Sequence, residues 1–226
     1  QLVLLENNTI GLGKKKDCQN RSVVTTPTEI VKYMVDKTLS KVCDGKTPSE
    51  ILDISVADIA CGSGIFLEEA FAYLQDYCVQ WYICNGQTDH LIETGIDLYK
   101  LPLQEKKDIL CSCIYGIDID IHAVEVAKFS LLIKLIEDET APSVSEVVPI
   151  LPDLGDNIQF GNSLVSQTEL NGISGANHQM MEIAPFDWST INNGCGFDVI
   201  IGNPPYVNTE GMHALLPSAE VEIYKK

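Results

Sequence analysis

The sequence has 226 residues, of which 45% are hydrophobic and 21% charged, a composition typical of a globular chain that buries a full core. Its formal net charge of −17 argues against a domain that binds nucleic acid unaided, because phosphate contacts require Lys and Arg. No apolar run approaches the length of a transmembrane helix, and the N-terminus does not resemble a signal peptide, so a membrane partner is not expected.

The basic residues are unevenly distributed. Eight of the fifteen lie in the first 46 positions, and none occurs from Leu135 to Tyr224. If the substrate is a polyanion, most of its binding surface is therefore expected elsewhere. The eight cysteines form no C-x-x-C pair and have no histidine at ligand spacing, which predicts free thiols in the cytoplasm and no metal site. The chain begins at Gln1 rather than Met, which favours a piece of a longer protein.

The first half of the chain alternates strand and helix patterns. Residues 1–24 are polar and are predicted to be an irregular N-terminal segment. Thr26 and Pro27 are typical of a helix start, and an apolar helical face continues from there as far as residue 42. We then predict a strand at 51–59, a tight turn at "CGSG" (61–64) and a helix at 65–82. Residues 83–104 have no clear pattern and are interpreted as an insertion.

The second half continues the alternation. We predict a short helix at 104–113, a strand at 114–119, an amphipathic helix at 122–139 and a short strand at 157–160. After a long loop (165–195), the apolar run from Phe197 to Ile201 predicts a strand buried on both faces. Alternating strands and helices of this kind indicate an α/β fold with a doubly wound parallel sheet.

Polar signatures follow four of the predicted strands, at residues 58–64, 116–120, 161–164 and 203–206. Ligands of doubly wound sheets bind beyond the carboxyl ends of the strands, so these segments are expected to line one crevice. Gly62 and Gly64 would let the backbone approach a ligand, and Asp118 could accept both hydroxyls of a ribose. The two glycines also have a simpler interpretation as an ordinary turn, and Asp118 has one as a solvated acid near the N-cap Asp120. Together they suggest an adenosine-bearing cofactor.

Several of these segments resemble a known family. "VADIACGSGIF" resembles motif I of the S-adenosylmethionine-dependent methyltransferases, and "NPPY" resembles motif IV of the N6-adenine DNA methyltransferases. "TTP" before motif I is similar to their gamma arrangement. "IYGIDID", "IQFGNSL" and "FDVIIGNPPYV" are most similar to the methylases of type I, type IIG and phage-exclusion systems. The likeness covers residues 20–210. It implies a Rossmann-like fold, S-adenosylmethionine as cofactor and methyl transfer to the N6 amine of adenine in DNA.

The resemblance also implies an organisation. Residues 25–226 would form the methyltransferase catalytic domain, truncated before the last strands of its sheet and before a target-recognition domain. Double-stranded DNA would be bound mainly through that missing domain, and specificity or nuclease subunits would be the other partners. Two alternatives are a protein glutamine N5-methyltransferase, which the acidic composition favours, and a non-catalytic regulatory domain that binds S-adenosylmethionine.

The same resemblance assigns residues to the cofactor. They are Thr26 and Pro27 near the methionine end, Asp58, Ala60, Cys61, Gly62 and Gly64 in the methionine-binding turn, Asp118 at the ribose, Ile119 against the adenine, and Asn162, Ser163 and Leu164 in motif III. Asn162 departs from the Asp of many relatives, which contacts the cofactor's adenine amine, although an Asn can still accept one hydrogen bond there.

Asn203, Pro204, Pro205 and Tyr206 match the catalytic loop. An exocyclic adenine amine is a poor nucleophile, so it needs two acceptors that draw its hydrogens out of the ring plane. The Asn203 side-chain oxygen and the Pro204 carbonyl would be those acceptors, and the prolines would fix the loop. Tyr206 would stack on a base that has been flipped out of the duplex.

Overall fold

The computed structural model describes residues 2–4, 10–12, 26–140, 147–171, 173, 176–206 and 216–225. Its strands are β1 (Leu2–Leu4), β2 (Ile10–Leu12), β3 (Val56–Asp58), β4 (Ile92–Gly95), β5 (Leu98–Lys100), β6 (Ile114–Asp118), β7 (Ile158–Phe160) and β8 (Val199–Ile200). Its α-helices are α1 (Thr28–Cys43), α2 (Pro48–Ile51), α3 (Ile65–Cys84), α4 (Leu103–Cys113), α5 (Ile121–Ile136), α6 (Gln167–Leu170), α7 (Ala176–Ile183) and α8 (Ser218–Tyr224). Short 3-10 turns lie at Thr88–His90, Trp188–Thr190 and Asn192–Gly194.

Four strands form the central sheet, in the order β7–β6–β3–β8, and every neighbouring pair is parallel. Asp58 pairs with Gly116 and Asp118 pairs with Phe160, so the carboxyl ends of the strands reach one edge of the sheet together. The predicted α/β fold with a parallel sheet is therefore confirmed, and the polar signatures after the strands are brought to a common edge.

The two faces of this sheet are covered differently. Buried side chains of α1, α3, α4 and α5 share one apolar cluster with Val56, Ile114 and Ile158 of the sheet. On the opposite face Ala57 and Ile117 belong to a smaller cluster, whose other buried members include residues from the irregular segment between α7 and β8. The sequence predicted helices on both faces of the sheet; within the described part of the chain, helices cover one face and the irregular segment covers the other.

Local sequence signals explain where several elements begin. Thr47 and Glu50 form a reciprocal capping box that starts α2, which ends at Ile51 and is followed by a turn at residues 52 and 53, so the predicted strand at 51–59 is shortened to β3. Asp120 caps α5 as expected, accepting a hydrogen bond from the backbone of His122. The helices predicted at 26–42, 65–82, 104–113 and 122–139 are confirmed, with small shifts at their ends.

The region interpreted as an insertion contains the antiparallel hairpin β4–β5. A nearly buried carboxylate links it to the rest of the fold, because Glu139 after α5 lies 3.0 Å from the Lys100 Nζ and 2.7 Å from the Lys106 Nζ. Burial makes such a cluster costly to break, since removing one partner leaves an uncompensated charge. The hairpin is therefore held by α4 and by the end of α5.

Two predictions about the ends of the chain need correction. Strands β1 and β2 pair antiparallel, so the N-terminal segment is not wholly irregular; its other residues lie outside the described part. Strand β8 is not buried on both faces, because Ile200 is 61% exposed while Val199 and Ile201 are buried. In the described residues β8 is the edge strand of the sheet, and Ile200 lies on the opposite face from Val199 and Ile201. No helix among the described residues is long and apolar enough to cross a membrane.

Candidate active site

The turn after β3 depends on two glycines. Gly62 and Gly64 have φ angles of +55° and +90°, which residues with a side chain rarely adopt. A Cβ added to Gly64 would also lie 3.1 Å from the Ala127 Cβ, so the start of α3 approaches α5 closely. The Cys61 amide donates to the Ile117 carbonyl at 2.9 Å, which joins the turn to β6. The Cys61 side chain is itself buried, and this burial raises the pKa of its thiol, so the thiol stays protonated and out of reach of a ligand.

Asp118 is held in one orientation at the end of β6. Its Oδ2 accepts the Gly62 amide at 2.8 Å and its Oδ1 accepts the Asp120 amide at 2.8 Å. The side chain is only half-buried, and each carboxylate oxygen can accept more than one hydrogen bond. A preoriented carboxylate with this acceptor capacity fits the paired hydroxyls of a ribose. Ile119 is half-buried next to it.

Asp58 lies deeper than Asp118. It is 1% exposed, and its Oδ1 accepts the Ala60 amide at 3.0 Å. Burial raises the pKa of this carboxyl to about 7, and the nearby Asp118 charge raises it further, against the opposing hydrogen bond from Ala60. A Cβ added to Gly202 would lie 2.7 Å from the Asp58 Cγ and closer still to Oδ1. The segment leading to the N-P-P-Y loop therefore runs directly against this carboxyl group.

The N-P-P-Y loop leaves the sheet immediately after Gly202. Asn203 is half-buried, and its Nδ2 donates a hydrogen bond to the Thr26 Oγ1 at 3.0 Å. Pro204 and Pro205 are exposed, and Tyr206 is 75% exposed, so its ring is available for stacking on a planar ligand. The structure thus places the side chain expected to touch the cofactor, Thr26, in contact with the residue expected to act on the substrate.

Motif III is hydrogen-bonded on two sides. Ser163 donates its hydroxyl to the Ile59 carbonyl at 2.7 Å, which connects it to the turn after β3. Asn162 is buried, its Oδ1 accepts the Leu164 amide at 3.1 Å, and its Nδ2 donates to the Glu220 Oε1 at 2.8 Å. The amide hydrogens of Asn162 therefore face α8, and its expected contact with adenine stays a prediction. Leu164 itself is 61% exposed.

Glu220 and Tyr224 of α8 were not predicted from the sequence. The Tyr224 hydroxyl also donates to the Glu220 Oε1, at 2.9 Å, and burial raises the pKa of this tyrosine to about 12. Glu220 is only 4% exposed, although an acid on a short helix would ordinarily be placed at the surface. Its partner Asn162 lies 58 positions away, a separation that local patterns do not reveal.

The described cysteines are unpaired, and Cys18 lies outside the described part of the chain. No group of three or more His, Cys, Asp or Glu side chains in that part is arranged to bind a metal ion.

Comparison with known proteins gives the family. Residues 112–226, half of the chain, match the model of the Eco57I restriction-modification methylase family. The chain is 43% identical, over 98% of its length, to the type II restriction enzyme and methyltransferase RM.Eco57I of Escherichia coli. It is 34% identical, over 54% of its length, to a putative type II restriction enzyme and methyltransferase, RM.MjaORFECS2P, of Methanocaldococcus jannaschii.

The chain spans about a fifth of the E. coli relative (21%) and 9% of the archaeal one. Among solved structures, a nuclease-deletion mutant of the type ISP restriction-modification enzyme LlaGI, in complex with a DNA substrate mimic, matches 82% of this chain and 13% of its own. That match has a TM-score of 0.47 and 18% identity. The resemblance found in the sequence motifs is confirmed at the level of the family model: the chain belongs to the Eco57I restriction-modification methylase family.

Proposed function

We propose that this chain is the catalytic core of a DNA methyltransferase that transfers a methyl group from S-adenosylmethionine to the N6 amine of adenine, within a restriction-modification or related defence system. One observation carries the proposal. The adjacent strands β6, β3 and β8 bring a preoriented carboxylate (Asp118), a glycine turn (Gly62 to Gly64) and Asn203 to one edge of the sheet. Membership of a restriction-modification methylase family supports the same class of reaction.

The cofactor would be held by groups that the structure already orients. Asp118 would accept the ribose hydroxyls, and the amides at the start of the 20-residue helix α3 would face the carboxylate of the methionine part. The aliphatic side chain of Ile119 would pack on the adenine ring, which removes apolar surface of both from water. When bound, S-adenosylmethionine supplies an electrophilic methyl group on a positively charged sulfur.

The chemistry would rest on the N-P-P-Y loop. The Asn203 Oδ1 and the Pro204 carbonyl would accept the two amine hydrogens, so that the nitrogen lone pair points toward the methyl group. The nitrogen would then bond to the methyl carbon with the sulfur as leaving group, and one amine proton would pass to water. No strong base is required, because the positioned acceptors supply orientation and stabilise the developing positive charge. The exposed Tyr206 ring would stack on the extrahelical base.

The proposal assigns DNA affinity to other parts of the polypeptide. The chain from Leu135 to Tyr224 contains motif III and the N-P-P-Y loop but no Lys or Arg, and phosphate neutralisation by these residues dominates affinity for DNA. A chain with net charge −17 that spans a fifth of its E. coli relative is therefore proposed to depend on the remaining sequence for holding the duplex.

The test separates cofactor binding from transfer. Asp118→Ala should weaken S-adenosylmethionine binding by about 1.5–3 kcal/mol, the range for a hydrogen bond to a charged group, as measured by isothermal titration. Asn203→Ala in the complete polypeptide should keep cofactor affinity but abolish formation of N6-methyladenine, measured by digestion and chromatography of the DNA. The exposed Asp156 and Asn171 offer matched controls as alanine variants.

Unchanged cofactor affinity in Asp118→Ala would remove this residue from the site. Normal turnover of Asn203→Ala on every nucleic-acid and protein substrate tried would refute the catalytic assignment. Methylation of a glutamine side chain in place of adenine would instead support the protein-methylating alternative.

A further inference from the structure

The contact between Thr26 and Asn203 joins residues 177 positions apart in the chain. Thr26 precedes Pro27, the N-cap residue of α1, and the first turn of this helix fixes the backbone beside it. The Pro27 carbonyl accepts the amides of Ile30 and Val31 at 3.0 and 3.1 Å, which closes that turn. Helix α1 in turn packs against α3, the helix that begins at the glycine turn. Helix α1 therefore holds the backbone next to Thr26 in place, and the Thr26 hydroxyl lies beside the N-P-P-Y loop.

The polarity of this hydrogen bond matters for the chemistry. An asparagine amide offers hydrogens at one end and lone pairs at the other, and its two ends exchange places when the side chain flips. Here the Nδ2 end donates to the Thr26 Oγ1, so Oδ1 is the end left to accept a hydrogen bond. An amine whose lone pair points toward the methyl group presents only hydrogens to the loop. An Asn203 amide in the flipped orientation would place donor against donor.

We infer that Thr26 is a positioning residue for the transfer reaction: its hydrogen bond to Nδ2 holds the Asn203 side chain in the position from which Oδ1 is presented to the substrate amine. The inference rests on the proposed function, and it gives Thr26 a role other than the cofactor contact expected from the sequence. Thr26 acts through Asn203 and touches neither reacting atom. Its loss should therefore affect turnover and leave cofactor affinity nearly unchanged.

Three substitutions test this in the complete polypeptide. Thr26→Val keeps the shape of the side chain and removes the hydroxyl, and we expect single-turnover methylation to slow by about tenfold to a hundredfold, the range for losing one polar contact in the transition state. Thr26→Ser restores a hydroxyl and should recover most of the rate. Thr28→Val makes the same change at an exposed position two residues further on and should match the wild type. The dissociation constant for S-adenosylmethionine, measured by titration, should stay within about twofold in all three.

The outcomes distinguish the inference from the proposed function. Loss of cofactor affinity by the same factor as turnover would show that Thr26 contacts the cofactor, and an unchanged rate in Thr26→Val would show that Asn203 is oriented without it; either result overturns the inference. If Thr26→Val fails to fold, as judged by its melting temperature, Thr26→Ala provides the same comparison. A wild-type protein that neither binds the cofactor nor transfers methyl groups would refute the proposed function and the inference with it.

Discussion

The close approach of β8 to β3 makes Gly202→Ala a sharp test of the site's construction. The added Cβ would lie 2.7 Å from the Asp58 Cγ, a separation that real Cβ atoms essentially never show. The carboxyl group cannot easily move, because it is 1% exposed and its Oδ1 accepts the Ala60 amide. Strand β8 would have to shift instead, and with it the hydrogen bonds to β3, such as that from the Ile201 amide to the Ala57 carbonyl.

The size of the effect depends on two opposing contributions. Gly202 does not have a positive φ, so alanine is compatible with its backbone and would by itself stabilise by about 0.4–1 kcal/mol through the unfolded state. Overpacking a rigid, buried site costs about 1–3 kcal/mol and occasionally more. Because the clash is with a carboxyl group held by a hydrogen bond, we expect a net loss of about 2–3 kcal/mol in the free energy of unfolding.

Urea denaturation of the chain measures this loss, with the slope of the transition checked for change. Gly95→Ala is the matched control, because its added Cβ would meet the Leu98 side chain at an ordinary 3.4 Å. In an Asp58→Ala background the clash disappears, so Gly202→Ala should cost less than about 1 kcal/mol there. A cost in the wild-type background as small as that of Gly95→Ala would refute the contact between β8 and Asp58.

Two further predictions concern buried acids and one concerns DNA. Folding raises the pKa of Asp58 from 3.8 to about 7, so between these pH values the folded protein holds a proton that the unfolded protein releases. The stability of the wild type should therefore fall as the pH rises from about 4 to 7. Asp58→Asn should lack this contribution, so its free energy of unfolding should fall by up to about 3 kcal/mol less than that of the wild type between pH 5 and pH 8. Asn162→Asp should destabilise by about 3 kcal/mol by setting two buried carboxylates together, and Glu220→Gln should rescue it in a double-mutant cycle; additive effects would contradict the pairing. In gel shifts at low salt, the 226-residue chain should bind duplex DNA weakly, and tight salt-sensitive binding would refute the electrostatic argument.

Local patterns predict the elements that carry a strong period. The helices from Thr28 and Ile65 and the strand from Ile114 are predicted correctly because each has a boundary residue or turn beside a regular apolar pattern. The strand predicted at 51–59 is too long, because the Thr47–Glu50 capping box starts a helix that reaches Ile51 and a turn follows it at residues 52 and 53. The hairpin β4–β5 lacks a regular alternation of apolar and polar residues, so the sequence pattern does not predict it.

The positions of the motifs are predictable, but their partners are not. The rule that ligands bind at the carboxyl ends of parallel strands is enough to group Gly62, Asp118 and Asn203 at one edge. The hydrogen bonds from Asn203 to Thr26 and from Asn162 to Glu220 join distant parts of the chain, and hydroxyl and amide groups leave no periodic signal. Ile200 shows the same limit, because an apolar residue on an edge strand is indistinguishable by pattern from one in a buried strand.

Strand β3 has three residues, all fully or almost fully buried, and it pairs with both β6 and β8. The segment that follows it accepts the Ser163 hydroxyl and donates to Asp118, while Asp58 at its end packs against Gly202. The turn after β3 therefore positions the proposed ribose-binding carboxylate, Asp118, and Asp58 at the end of β3 positions the segment that leads to the N-P-P-Y loop. A displacement of β3 relative to β8 would move the proposed cofactor turn and the N-P-P-Y loop apart. This is the physical reason to expect the half-buried Gly202 to be as necessary to methyl transfer as the side chains that touch the substrate.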